Sequence, residues 1–401
     1  MRKIILLILI MSLGAALNST LNQRGFVRSY LGILSDDESF SIAQNTFDLR
    51  LDYRKNDLNL YVNPVLKYDN LSEELTLSLR QSYIDIYFAD FDLRIGKQQI
   101  VWGKADGVFI TDVISPRDLS EFIMPDFEEI RIGINALKFD YYLGNSTLEA
   151  IWIPTFQSTI QPDAGSIWFP ETGEFQQPVQ ISEPEKVAGK FSNSDVAVKF
   201  SHLGSLLDLE LMTAYLWDDT PAQHKFLQVD SSLLIIPKYH RLPMAGASFS
   251  KAISGAVARM EAAYYFEKRL HTADLITHGI CRKDYLHYLI GYDHNWFNVD
   301  VSFQFVQEFI RNYEDIITKD EFTNTLTMML NKTFLRETMT LNIFSYYGLN
   351  DDDALLRLKL SYDFSGGLNI LAGYNLFTGD TGNFGQFNDN DMAYLKVRLD
   401  F

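Results

Sequence analysis

The chain has 401 residues, 52 acidic against 35 basic, and a formal net charge of −17. That balance excludes non-specific nucleic-acid binding, which needs a basic surface. The lone cysteine, Cys281, excludes an internal disulfide framework, and the histidines show no metal-ligand spacing, so neither a metal nor a cofactor is expected.

Residues 1–16 read as a secretory signal peptide. Arg2 and Lys3 form a basic start, residues 4–13 are apolar, and Gly14-Ala15-Ala16 is a small-residue cleavage site. Residues 17–401 are expected to form a single domain. No later apolar run approaches the roughly 18 residues that a membrane-spanning helix needs. A membrane protein of this composition must cross as a closed barrel.

Alternation of apolar and polar residues then recurs to the end of the chain. Period two marks strands with one face in an apolar medium and one in water. Candidate strands fall at 24–34, 43–55, 57–68, 74–88, 90–103, 129–143, 146–156, 193–204, 205–218, 241–253, 255–268, 284–295, 297–311, 321–334, 336–348, 353–364, 367–379 and 389–401. This predicts an all-β, transmembrane, antiparallel barrel of about 18 strands. Sixteen is the alternative count, because alternation is poor across 321–348. Connections after even-numbered strands are tight, as at Asn56-Asp57, Ser254-Gly255 and Gly366-Gly367. Connections after odd-numbered strands are longer, at 104–128, 157–192, 219–240 and 269–283. Short periplasmic turns and long external loops sort in this way. The phase slips between Leu79 and Ile84, which predicts a bulge near Gln81-Ser82. Tyr53, Tyr68, Tyr285, Tyr292, Tyr362 and Phe364 are expected in interfacial aromatic girdles. The last strand ends on an aromatic residue, Phe401, a form suited to barrel closure and to recognition by the barrel-assembly machinery.

A barrel of this size encloses water. Arg28, Arg50, Lys67, Arg80, Arg94, Arg357, Lys359, Lys396 and Arg398 take the lumen phase and are expected to form a basic pore wall. The third external loop, 104–128, holds too many apolar residues for a solvated segment, among them Ile110, Ile114 and Met124, and is expected to fold inward onto the wall. Its polar candidates for a constriction are Lys104, Asp106, Asp112, Arg117, Asp118, Glu121, Asp126 and Glu128, with Trp102 at the end of the preceding strand as a pin to the wall. An acidic loop facing a basic wall would set a transverse field across a narrow aqueous gap. Gly103 and Gly107 let the chain leave the strand sharply.

The segments Arg94-Ile95-Gly96-Lys97-Gln98, Val101-Trp102-Gly103-Lys104-Ala105-Asp106-Gly107 and Ile114-Ser115-Pro116-Arg117-Asp118 resemble a poorly characterised porin-like family that sits beside the alginate-export and phosphate-selective porins. The resemblance covers residues 92–130 and implies an outer-membrane channel with no particular solute.

Other features read as structural. Asn350-Asp351-Asp352-Asp353 and Asn388-Asp389-Asn390-Asp391 lack EF-hand spacing and read as solvated turns, with divalent-cation bridging to lipopolysaccharide as the alternative. Phe156, Trp168, Phe169 and Phe175 read as packing of the 157–192 loop on itself, with sugar stacking as the alternative. Ser248, Ser250, His287 and His294 do not form a nucleophile motif, so an enzyme is not expected. The expected function is passive, electrostatically filtered diffusion of small polar or anionic solutes across a bacterial outer membrane. The alternative is a transporter or exporter for one substrate, such as an acidic polysaccharide or a hydrophobic compound. Expected partners are membrane lipid, lipopolysaccharide, the assembly machinery, small solutes and further copies in a homo-trimer.

Overall fold

The computed structural model describes residues 21–170 and 178–401. The signal peptide and Phe175 therefore lie outside the described residues. In chain order the strands are β1 (Leu21–Leu34), β2 (Phe40–Lys55), β3 (Leu58–Asp69), β4 (Glu74–Tyr87), β5 (Phe91–Gln98), β6 (Ile134–Leu143), β7 (Ser146–Ile153), β8 (Val179–Ile181), β9 (Asp195–Leu203), β10 (Asp208–Trp217), β11 (Ala222–Leu227), β12 (Leu233–Lys238), β13 (Arg241–Ile253), β14 (Ala256–His271), β15 (Ile280–Trp296), β16 (Val299–Ile310), β17 (Phe322–Phe334), β18 (Met339–Gly348), β19 (Asp353–Asp363), β20 (Leu368–Thr378) and β21 (Met392–Asp400). Eighteen of them pair into one sheet, and pairing of β1 with β21 closes it. The count of 18 holds, including the two strands where alternation was weakest. β8, β11 and β12 form a separate three-stranded sheet from the external loops, which the period-two reading did not resolve.

Alternation dictates the wall. Val27, Leu31, Ile84, Ile95, Phe303, Leu326, Leu395 and Leu399 are exposed on the outer face, while Asp48, Ser302 and Gln304 on the inner face are buried by lumen contents. An apolar outer belt on a closed barrel belongs in the bacterial outer membrane, because closure leaves no strand edge unpaired in hydrocarbon. At the seam, Gly25 and Phe401 exchange both backbone hydrogen bonds at 3.0 Å. A Cβ on Gly25 would lie 2.1 Å from the Asp48 carbonyl oxygen, so this close approach requires glycine. The Phe401 ring stacks on Phe47, with centroids 5.8 Å apart.

The bulge falls at Arg80, one residue before the expected place, where the β3–β4 register shifts between Asn63 and Pro64. Proline has no N–H to give to the ladder, so an irregularity opposite it costs little. Tyr285 is a correction: it is buried in the lumen and is not in a girdle. Tyr285 and Tyr292 are an odd number of residues apart on one strand, so they face opposite sides, and Tyr292 is the one exposed to lipid. Strand lengths are uneven. β5 and β7 have eight residues each, whereas β14 and β15 have 16 and 17.

Candidate functional site: an inward loop and the vestibule beside it

β5 ends at Gln98, earlier than expected, so Trp102 belongs to the loop and not to the strand. The indole is 2% exposed, and its Nε1 donates to Glu149 on β7. From there the chain crosses the lumen. Its apolar residues provide the drive: Ile110 and Ile114 are buried with Met212 and Met244 of the wall in one cluster.

The first stretch of the loop leans on β10 and on β14 to β18. Glu261 on β14 accepts the Thr111 N–H at 2.8 Å, the Thr111 hydroxyl at 2.7 Å and the Lys104 N–H at 3.0 Å. Arg259 pairs with Asp106 at 2.5 Å, and Lys104 pairs with Glu210 on β10 at 3.0 Å. Tyr346 on β18 donates to the Gly107 carbonyl at 2.7 Å. Gly107 has φ +77°, and a Cβ there would meet the Phe344 ring at 2.2 Å, so only glycine fits. Asp112 pairs within the loop with Arg131, at 2.6 Å. Burial pushes the Asp112 carboxyl up, against the pull of Arg131. Asp118 turns back to its own backbone and accepts the Ser120 N–H at 3.1 Å.

The second stretch reaches the seam. Arg28 forms a two-pronged pair with Glu129 at 2.8 and 3.1 Å. Glu129 belongs to the single-turn helix α1 (Phe127–Ile130). Arg50 meets Glu128 at 2.9 Å, and Lys67 meets Glu121 at 3.3 Å. Asp126 lies 3.1 Å from Lys359 and 3.9 Å from Lys396. Burial opposes the charge of Asp126, but Lys396 and Lys359 outweigh it and hold its carboxyl below the usual range. Arg357 donates to the Ile123 and Met124 carbonyls at 2.9 and 2.8 Å.

These contacts correct the expected gap. The acidic part of the loop touches the basic wall, and its carboxylates take up the wall's charge directly. The remaining wall candidates are engaged elsewhere: Arg80 with Asp48 at 2.7 Å, Arg94 with Asp85 at 2.6 Å and Arg398 with Asp400 at 2.6 Å. Above this side the loop carries an aromatic seal. Phe122 stacks on Trp168, with centroids 6.0 Å apart, and packs against Phe377, Phe384 and Phe387. Asp353 and Asp391 are also structural here, accepting the Phe384 and Phe377 N–H groups at 2.7 Å.

The other side of the mouth is open. A cavity of about 360 Å³ lies between the loop and β10, β13, β14 and β15. Arg117 lines it with Lys268, Arg269 and Lys319, beside the carboxylates Asp112, Asp218 and Asp219 and the apolar Leu216 and Val113. The Arg117 guanidinium stands 4.9 Å from the Phe109 ring centroid. Sequence reading missed Glu149, Glu210, Arg259 and Glu261 as loop supports. Their lumen phase was readable, but their partners lie far away along the chain, as between Thr111 and Glu261 (150 residues). The serine–histidine candidates do not meet: Ser248 donates to Glu210 at 3.0 Å, and His294 lies 3.1 Å from the Gly255 carbonyl.

A closed 18-stranded barrel with a loop folded across its lumen defines a porin-like outer-membrane barrel. The chain belongs to the family described as "Protein of unknown function (DUF1302)", which matches residues 50–401. No curated protein sequence matches it. Among solved structures, Pseudomonas aeruginosa OccK2 (OpdF) is similar with a TM-score of 0.58 at 11% identity, covering 95% of this chain and 97% of that one. OccK2 in complex with glucuronate gives 0.56 at 9% identity, with 95% and 97% covered. Acinetobacter baumannii OccAB1 gives 0.54 at 8% identity, with 95% of each chain covered. At these identities the likeness establishes the fold.

Proposed function

We propose that the protein is a passive outer-membrane channel for small polar or anionic solutes, narrowed by the inward loop. The observation that carries this reading is the asymmetry of the mouth: the seam side is closed by ion pairs and aromatic packing, and the cavity on the other side is lined by Arg117, Lys268, Arg269 and Lys319 against Asp112, Asp218 and Asp219, of which Asp112 is paired with Arg131 outside the lining. Low-dielectric walls focus the field of such cations and raise the local concentration of anions. Passage needs no cofactor. Lipid and lipopolysaccharide cover the outer belt, the assembly machinery reads the strand ending at Phe401, and three copies associate in the membrane. The test is single-channel recording in planar bilayers under a potassium chloride gradient. Discrete conductance with a reversal potential on the anion-selective side is expected. Cation selectivity, or no conductance, would reject the reading.

A further inference from the structure

One member of the Arg94–Gln98 segment plays no part in the lumen. On β5, Arg94 pairs inward with Asp85, and Gln98 is fully buried. Lys97 takes the opposite face with Ile95, which is exposed to lipid. Its cross-strand partners, Ser82 on β4 and Asn135 on β6, share that face. The three form a polar spot on the outer belt. Phe91, six residues below Lys97 on the same strand, belongs to an aromatic row with Phe88, Phe139 and Tyr141 at the periplasmic end. Six residues run about 20 Å along a strand. In a tilted barrel that is a rise of about 15 Å, within an apolar band about 25 Å tall. An ionisable side chain at such depth calls for a partner, and among the described residues Lys97 has neither an ion pair nor a side-chain hydrogen bond. A second copy of the chain brings no counter-charge to this depth. The outward carboxylates of the strands, Glu267 and Asp284, stand at the external ends of β14 and β15, beside Arg282 and Arg311.

Two features carry the amine toward the headgroups of the outer leaflet. The wall is low here. β5, β6, β7 and β9 have 8, 10, 8 and 9 residues, against the roughly 9–11 that cross the band, and a short wall thins the bilayer beside it. β5 ends one residue past Lys97, and β6 begins one residue before Asn135, so neither strand rises above them. The second feature is Gly133, just outside β6. A Cβ there would lie 2.3 Å from the Arg80 carbonyl oxygen and 3.3 and 3.4 Å from the Lys97 Cγ and Cε. The lysine stem therefore lies over Gly133, past the external end of the strand, and takes the ammonium away from the bilayer centre. We propose that Lys97 binds the phosphate of an outer-leaflet glycolipid, with Ser82 and Asn135 beside it as further donors. The charged hydrogen bond supplies what the chain itself does not. Because the inward loop leaves the wall after Gln98 and re-enters it at Ile134, the lipid covers the root of the loop.

The test is native mass spectrometry of the full chain in dodecyl maltoside, titrated with bisphosphorylated lipid A, with lipid A stripped of its phosphates, and with inorganic phosphate. Lipid A should be retained, and the stripped form should bind about tenfold to a hundredfold more weakly, the effect of losing a charged hydrogen bond. Lys97→Met should weaken lipid A by the same factor, and Lys97→Arg should keep it. Lys332→Met, near the periplasmic end of β17, should change nothing. Millimolar inorganic phosphate should not displace the lipid. Equal binding of the stripped form would overturn the proposal, as would a folded Lys97→Met protein with unchanged affinity. Displacement by inorganic phosphate would assign the site to a free anion and overturn the lipid as its occupant. An oligomer that binds no lipid A and falls apart in Lys97→Met would assign this face to a second copy. Should Lys97→Met not fold, the comparison of the two lipid A forms on the native protein still decides.

Discussion

The two sides of the loop use the same residue types to opposite ends. At the seam, Arg28, Arg50, Lys67, Lys359 and Lys396 each lie within ion-pair distance of a loop carboxylate. Their charge is spent on holding the loop. Across the lumen, Arg117 sits on the loop itself and lines a cavity, with an aromatic ring beneath it and no ion pair of its own among the described residues. On the proposed channel reading, a lumen cation serves solute only where the loop has not already supplied its counter-charge. Counting cations on the inner face cannot distinguish the two cases, because the distinction lies in where the loop lands.

The largest expected effect breaks the comparison outright. Deleting 108–124 removes the inner wall of the vestibule and the aromatic anchor Phe122, but leaves Asp126, Glu128 and Glu129 on the seam. Single-channel conductance should rise severalfold, since the deleted stretch crosses the lumen. An unchanged conductance would mean that solute does not pass this segment.

A smaller effect isolates the seam. Arg28→Glu places two carboxylates against each other at a pair whose side chains are 9% and 19% exposed. Disrupting a buried pair costs on the order of 3 kcal/mol, which here falls on loop anchoring, because the barrel's own ladder is untouched. The variant should show flickering current and faster proteolysis within 121–131. Arg28→Glu with Glu129→Arg should restore quiet openings, as a double-mutant cycle requires of direct partners. If the double variant flickers as much as the single one, the pair is not what seats the loop.

Much of this was legible in the sequence. Strand number, the tight turns and the closing strand follow from period two and turn chemistry, which act locally. The bulge was placed to within one residue because a phase slip is also local. The inward loop was legible from Ile110, Ile114 and Met124, since apolar side chains need a surface. The partners of the loop were not, because they depend on its path. Nothing near Glu121 announces Lys67 or Gln44, which it meets at 3.3 and 2.7 Å. Trp102 was expected to pin the loop to the wall, and it does contact Glu149 of the wall, but from the loop and not from a strand. The external sheet of β8, β11 and β12 escaped because strands of three and six residues carry too few alternations to register.

The smallest expected effect sharpens the vestibule side by way of its roof. His224 on β11 and His240, just past β12, face each other with Nε2 atoms 2.9 Å apart, a hydrogen bond in which one ring must accept and so cannot survive protonation of both. Burial pushes His240 down to about 4, aided by Arg269, His224 and Arg282 and opposed by Asp218. Burial lowers His224 too, with Lys238, His278 and Arg269 adding and Glu185 opposing. A histidine whose folded pKa lies below its ordinary value of about 6.5 binds fewer protons folded than unfolded. Its contribution is therefore complete above about 6.5 and is lost as pH falls through the folded value. The external sheet should loosen between those limits, while the seam, where Lys396 and Lys359 hold the Asp126 carboxyl below the usual range against burial, stays shut over the same range. Hydrogen exchange should show residues 222–240 losing protection from pH 7 to pH 4.5, with 121–131 unchanged, and His240→Gln should flatten the response. Parallel loss of protection in both segments would mean that the roof and the seam open as one unit, and the two sides of the mouth would not be separable.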